Sequence, residues 1–416
     1  MGLKVRKKTR TVRSKRKQDL ECDFVSKARK NAPIVIMIVA IVGLIWAGYD
    51  RYSDRENFKS QIDSSFREAD SLRYAGLFEE AIDEYKCILK RVSSQKFPNK
   101  YAMAQHSIGV AYCDLAKVSD KGLNLKKAIN VYQEALKIIT VDEYEITYAT
   151  LQNNLGNAYR VLAEDWDKES NLEKAINAYH EALKIRTVDE YEIDYATTQN
   201  NLGTAYYSLA EVRDKELNLE KAIDAFQEAI KIRTVESDAI DYAMPRDNLG
   251  CAYYSLAEVR DKESNLEKAI DAFQEALKIR TVESDAIHYV GTQNNLGAAY
   301  CGLAEVRDKE SNLEKAIDVI QEALNNTNVN SYPLDYAKTQ NSLGIAYGGL
   351  AEVKDKEFNL EKAIDAFQES LKIYTENYPM RYQEVKSNLE YARNQSYGRN
   401  VRFAFEGKIY ETYVKI

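Results

Sequence analysis

The residues best suited to chemistry in this 416-residue chain are side-chain amides that recur at one spacing. Asn153-Asn154, Asn200-Asn201, Asp247-Asn248 and Asn294-Asn295 form the series, with His106-Ser107 before it and Asn341-Ser342 after it. An asparagine amide holds both donor and acceptor groups, so a column of them can pair with a peptide backbone without reading its side chains. Asparagine is a weak helix former and an odd choice mid-helix unless its amide is used. Two other uses stay open: a plain solvated face, and bonds to the neighbouring turn.

Other chemistry is sparse. The three histidines are His106, His180 and His288, and none has a recurring cysteine or acid beside it. Five cysteines include no close pair, so neither a zinc spacing nor a disulfide framework can be read. There is no phosphate-binding glycine loop and no nucleophile elbow. Acids cluster in segments such as Asp189-Glu-Tyr-Glu192 and read as solvated charge. We therefore expect no catalytic residues, no metal, no cofactor, no small-molecule substrate and no nucleic-acid partner.

The elements that position the amides follow from a strict period. Gly109, Gly156, Gly203, Gly250, Gly297 and Gly344 are each 47 residues apart, and a tyrosine follows three places after each. Ala128, Ala175, Ala222, Ala269, Ala316 and Ala363 keep the same step. Such self-similarity means stacked supersecondary units. In the third unit, Tyr195, Leu202, Tyr206 and Leu209 share one helix face, and Leu219, Ala222, Ile223, Phe226 and Ala229 share another. Ser170-Asn-Leu-Glu173 and its copies at Ser264 and Ser311 predict capping boxes at the start of the second helix, with Asn218 and Asn359 as caps where serine is lost. A mid-helix glycine costs up to about 1 kcal/mol, so its repetition predicts a close neighbour, namely the partner helix at its alanine, Gly203 against Ala222.

Leu202, Gly203, Tyr206, Ala222, Phe226 and Ala229 resemble, in order, the pattern of the tetratricopeptide repeat. Residues 65–91 resemble one unexpanded unit, while the 47-residue units are similar to the Asn-Asn-Leu-Gly repeats of kinesin light chains. The resemblance covers about residues 60–395. It implies an all-α, right-handed superhelical solenoid of about seven helix pairs and a capping helix over 50–396. It also implies a concave groove lined by first helices that binds protein or peptide partners. The positions bordering that groove are Asn153, Asn154, Asn200, Asn201, Asp247, Asn248, Asn294, Asn295 and Asn341. Asn157, Thr204, Cys251, Ala298 and Ile345 vary farther along it, with Arg160, Tyr207, Tyr254, Cys301 and Gly348 one turn on from them. The function implied is a scaffold for partner proteins, with a translocation-associated chaperone or docking receptor for client polypeptides as the alternative.

The chain ends differ from the repeats. Residues 1–31 hold twelve Lys/Arg and three Asp/Glu, against a net −16 for the rest. Between them, Asn31 to Tyr49 carries no charge, and a helix of that length spans roughly 28 Å, near the thickness of a bilayer core. The expectation is a cytoplasmic arm over 1–31, a transmembrane helix over 32–49 and an extracytoplasmic repeat region, a single-pass membrane anchor by the positive-inside rule. The alternation over 401–413 suggests a hairpin in a 397–416 tail.

Overall fold

The computed structural model describes residues 56–232, 239–327 and 329–396, with backbone alone over 239–242. The basic arm, the 32–49 run and the 397–416 tail lie outside those residues. The expected single-pass localisation is corrected. No described helix is long and apolar enough to cross a membrane. The topology built on that span is not carried further.

Two units are described, Met1–Arg91 and Val92–Ile416. In the first, α1 (56–74) and α2 (Phe78–Arg91) form one helix pair. Gly76, at φ +79°, makes the left-handed turn between them. Ala69, Ala81 and Tyr85 are buried, and the Tyr85 hydroxyl donates to Asp70.

The second unit contains α3 (Pro98–Ala116), α4 (Lys121–Leu136), α5 (Val141–Leu162), α6 (Lys168–Leu183), α7 (Glu192–Ala210) and α8 (Lys215–Ile232). It continues with α9 (Ala239–Ala257), α10 (Lys262–Leu277), α11 (Val282–Ala304), α12 (Lys309–Asn325), α13 (Pro333–Leu350), α14 (Lys356–Leu371) and α15 (Pro379–Ser396). The described residues are all-α, in adjacent packed pairs: α3 with α4, α5 with α6, and so on to α13 with α14, with α15 against α14. Successive first helices also touch one another, whereas no contact of comparable extent joins second helices. The first-helix layer is thus the more closely spaced one, which puts it on the inside of the stack.

The second helices begin earlier than the serine motifs predict, and no capping box forms there. Asp120, Asp167, Asp214, Asp261, Asp308 and Asp355 take left-handed backbone at φ between +36° and +47°. Aspartate tolerates that region better than most residues, and the helix starts one residue later. The asparagine of each motif then ties the turn: Asn171 donates to the Trp166 carbonyl (2.7 Å), Asn218 to Arg213 (2.8 Å) and Asn265 to Arg260 (2.9 Å). Ser170 lies inside the helix instead of at its cap.

The glycines face a different partner than the alanine expected of them. A Cβ on Gly203 would lie 2.6 Å from the Phe226 ring, and one on Gly250 would lie 2.5 Å from Phe273. Tyr132, Tyr179 and Phe367 fill the same place over Gly109, Gly156 and Gly344; Ile320 does so over Gly297. The glycine thus makes room for an aromatic side chain that is almost fully buried. Burial of such a ring stabilises the fold by roughly 1.5–3 kcal/mol.

Neighbouring pairs are joined at the surface by repeated polar bonds. Gln227 donates to the Tyr253 hydroxyl (2.9 Å), Gln274 to Tyr300 (2.9 Å) and Gln321 to Tyr347 (2.7 Å). At the turns, Arg213 meets Glu169 and Glu173, and Arg307 meets Glu263 and Glu267, each one pair back. The first junction is built otherwise: Trp166 replaces the arginine and packs over Gly122, which replaces the glutamate.

Candidate functional site

The recurring amides all lie on first helices, and the structure ties most of them to each other. Asn201 donates to Asn153 Oδ1 (3.2 Å) and Asn248 to Asn200 Oδ1 (3.0 Å). Asn154 Nδ2 lies 2.6 Å from His106 Nε2. The second amide of each pair therefore reaches back one unit to the first, forming a ladder between first helices. Asn153, Asn200, Asp247, Asn248, Asn294 and Asn295 are buried, while Asn154, Asn201 and Asn341 are half-buried. Bonding to the neighbouring helix thus takes up much of what a peptide clamp would use. Each amide nitrogen in the ladder still has a second hydrogen to give.

The ladder breaks after α9. In register, Asn295 would serve Asp247, but it lies instead 3.5 Å from Cys251 Sγ. Ser342 stands where an asparagine would serve Asn294, whose own Nδ2 donates to Thr339 Oγ1 (2.7 Å). Asp247 Oδ1 and Asn294 Oδ1 are left buried without a hydrogen-bond donor. Asn341 rejoins the column at the end, accepting from Asn388 at 3.4 Å.

Charge is buried at that break. Arg280, 2% exposed in its side chain, lies 3.4 Å from Asp247 and 3.8 Å from Asp285, and donates to Thr292 Oγ1 (2.8 Å). Two units earlier, Arg186 donates to Thr198 (2.8 Å) and Thr150 (3.2 Å), with Asp194 3.5 Å away. Burial holds the Arg186 guanidinium below its usual range, and Asp194 opposes that. Lys338 nears the same region as Asp247 and Cys251; burial pushes it down to about 8. Residue reasoning missed this group. Its signal was an arginine followed twelve places later by threonine, at 186/198 and 280/292.

A cavity of about 780 Å³ opens along α3, α5, α7 and α9. Asn153, Asn154, Asn157, Asn200 and Asn201 border it, with Arg160 one turn on. Met244 and Pro245 border it on α9. Asn157 Oδ1 accepts from the Tyr179 hydroxyl (2.7 Å). That hydroxyl is pushed up to about 12 by burial, and its hydrogen bond to Arg160 pulls the other way.

Among the described residues the cysteines do not pair. Cys113, Cys251 and Cys301 are free thiols, and burial pushes Cys113 up to about 11 and Cys301 up to about 12. Among the described residues, no group of three or more His, Cys, Asp or Glu side chains is placed to hold a metal.

Stacked helix pairs with an inner face of first helices define a helical-repeat protein. Family models described as tetratricopeptide repeat match residues 203–234, 252–281 and 290–329, so the chain carries tetratricopeptide repeats there. No curated protein matches the chain in sequence. Among solved structures, the chain is similar to the C-terminal part of a TPR repeat-containing protein from Cytophaga hutchinsonii. The identity is 15%, covering 78% of this chain and 99% of that one, with a TM-score of 0.46. It is similar to the quorum sensor NprR of B. thuringiensis in its apo form at 16% identity, covering 86% and 96%, TM-score 0.47. It is also similar to BtubC from P. vanneervenii at 23%, covering 60% and 93%, TM-score 0.41.

Proposed function

We propose that this protein is a scaffold that holds partner proteins as extended peptide segments against its first-helix face. The observation that carries the reading is the cavity along α3, α5, α7 and α9, bordered by four asparagines of the column and by Asn157. Its volume lies in the range of pockets that bury most of a ligand. Packed helices lie roughly 8–10 Å apart, so three such steps match an extended segment of about eight residues at ~3.3 Å each. Asn153, Asn154, Asn200 and Asn201 are the residues we assign to main-chain contacts there, through amide hydrogens left over from the ladder. Asp247, Asn248, Asn294, Asn295 and Asn341 belong to the same proposed column farther along. The 47-residue unit is of the Asn-Asn-Leu-Gly type similar to kinesin light chains.

The test is binding of a random-sequence peptide library to the full chain, followed by substitution of Asn200 and Asn157 by alanine. Retention of peptides by the parent, with at least about tenfold weaker binding in the double variant, is expected for lost hydrogen bonds in a desolvated site. Equal binding by parent and double variant, with both folded by circular dichroism, would sink the assignment.

A further inference from the structure

The stack has two edges, and they treat their acids differently. At the turns inside each pair, glutamates are matched by the neighbouring unit. Lys168 meets Glu211, Lys215 meets Glu258 (2.7 Å), Lys309 meets Glu352 (2.5 Å), and Arg260 meets Glu216 (3.2 Å) and Glu220. At the turns between pairs the acids stand alone. Asp142, Glu143 and Glu145 lie at the start of α5, and Asp189, Glu190 and Glu192 at the start of α7. Among the described residues none of these six is in an ion pair. The cations that precede them are engaged elsewhere: Lys137 with Glu134 (2.5 Å), Lys184 with Glu181 (2.5 Å) and Arg186 with Asp194 (3.5 Å). The Tyr191 hydroxyl donates to Glu145 at 3.5 Å, so the two turns adjoin. Farther along, Asp285 is taken by Arg280 and His288, and the turn before α13 keeps one acid, Asp335.

The same edge exposes aliphatic side chains in register. Val141 and Ile146 are 43% and 36% exposed, and Val188 and Ile193, one repeat on, are 45% and 59% exposed. The first turn of a helix favours acids, but that gives no reason for valine and isoleucine beside them in water. Single exposed aliphatics are ordinary, whereas adjoining ones rimmed by polar groups mark an interaction site.

We propose that this edge docks an amphipathic basic helix of a partner protein, with an aliphatic stripe flanked by lysine or arginine. The site lies apart from the groove and does not depend on peptide binding there. Charge selects the partner: six unpaired carboxylates favour cations on the approaching surface and repel an acidic one. Spacing selects the helix. Packed first helices lie roughly 8–10 Å apart, and seven residues of a helix rise about 10.5 Å, so its residues i and i+7 meet successive turns. An extended chain shows one face every ~6.6–6.8 Å and falls out of step.

The probe is a synthetic peptide of three heptads, with leucine at the first and fourth places of each and lysine elsewhere. Its binding to the full chain is read by fluorescence anisotropy. The pair Ile146→Ser and Ile193→Ser is expected to weaken binding at least about tenfold through lost aliphatic burial. The set Asp142→Asn, Glu143→Gln, Asp189→Asn and Glu190→Gln should weaken it as much and flatten its dependence on salt. The set Glu216→Gln, Glu220→Gln, Glu263→Gln and Glu267→Gln changes net charge equally at the other edge and should leave binding as in the parent. The groove variant with Asn157 and Asn200 changed to alanine should also bind as the parent does, which separates this site from the scaffold reading. The proposal is overturned if the parent does not bind the probe. It is overturned equally if either folded edge variant binds as the parent does, or if a probe with serine for leucine binds as well. Loss of binding in the groove variant or the other-edge variant would overturn it too. Displacement of the probe by a peptide of residues 1–31 would make this chain's own basic segment the occupant and overturn the partner assigned here.

Discussion

From α3 to α9 the first helices are tied by amide bonds one unit apart; from α9 to α13 the same register leaves acceptors bare and buries Arg280 between two carboxylates. The first stretch borders an open cavity. The second stretch is stiffened by ions in place of amides. A neutral ladder holds adjacent helices while leaving amide hydrogens to spare, whereas a buried ion group punishes the loss of any member. Binding is therefore expected on the first stretch and structural fragility on the second.

The largest test of this contrast uses two arginines in one register. Arg280→Ala removes the guanidinium beside the buried Asp247 and is expected to destabilise by about 3–5 kcal/mol. Arg186→Ala strands mainly hydroxyls and is expected to cost about 1–3 kcal/mol. Urea melts of both variants, with hydrogen exchange to locate the loss, compare them. Equal costs would erase the distinction between the two stretches.

A smaller difference is expected at the glycines. Gly203→Ala drives a methyl group into the rigid Phe226 ring, and Gly297→Ala drives one to 2.5 Å from Cγ1 of the fully buried Ile320, which is stiff at χ1. Overpacking of this kind costs about 1–3 kcal/mol, offset by up to ~1 kcal/mol of helix propensity. Thermal melts should show both variants below the parent, with Gly203→Ala the weaker.

The ladder break can be mended. Ser342→Asn gives the bare Asn294 oxygen a donor and should stabilise the α11–α13 joint by about 1 kcal/mol. Asn248→Ala, which removes an existing rung, should cost a similar amount at α7–α9. Slower amide exchange at the first joint and faster exchange at the second are the expected readouts.

A last effect is one of pH. Burial lowers Lys338 to about 8 in the folded state, below the unfolded value near 10.5. Between those values the unfolded chain binds more protons, so stability should rise with pH across that window. Below about pH 8 the lysine is charged in both states and the slope vanishes. Lys338→Met should flatten the rise, as read by denaturant midpoints over the alkaline range; an unchanged slope would place the titration elsewhere.

Several features were legible in the residues because they repeat. The 47-residue step fixed the number of helix pairs between Gly109 and Gly344, and the tyrosine and alanine registers fixed which faces pack. The glycine partner was missed because periodicity shows that a Cβ is forbidden without showing what forbids it. That turned out to be Phe226, four residues past the expected Ala222. The capping boxes failed for a local reason. Ser-x-x-Glu fits a cap in pattern, but the aspartate three residues earlier takes left-handed backbone and starts the helix first.

The sequence by itself determined the two-helix unit, its repetition and the column of amides, since each follows from spacing along one chain. Only the tertiary structure decided where those amides spend their hydrogen bonds. A side chain's partner on the next unit depends on how far the neighbouring helix is shifted and turned, and that is set by packing. Asn201 reaches Asn153 while Asn295 turns from Asp247 to Cys251, although both occupy the same place in the repeat.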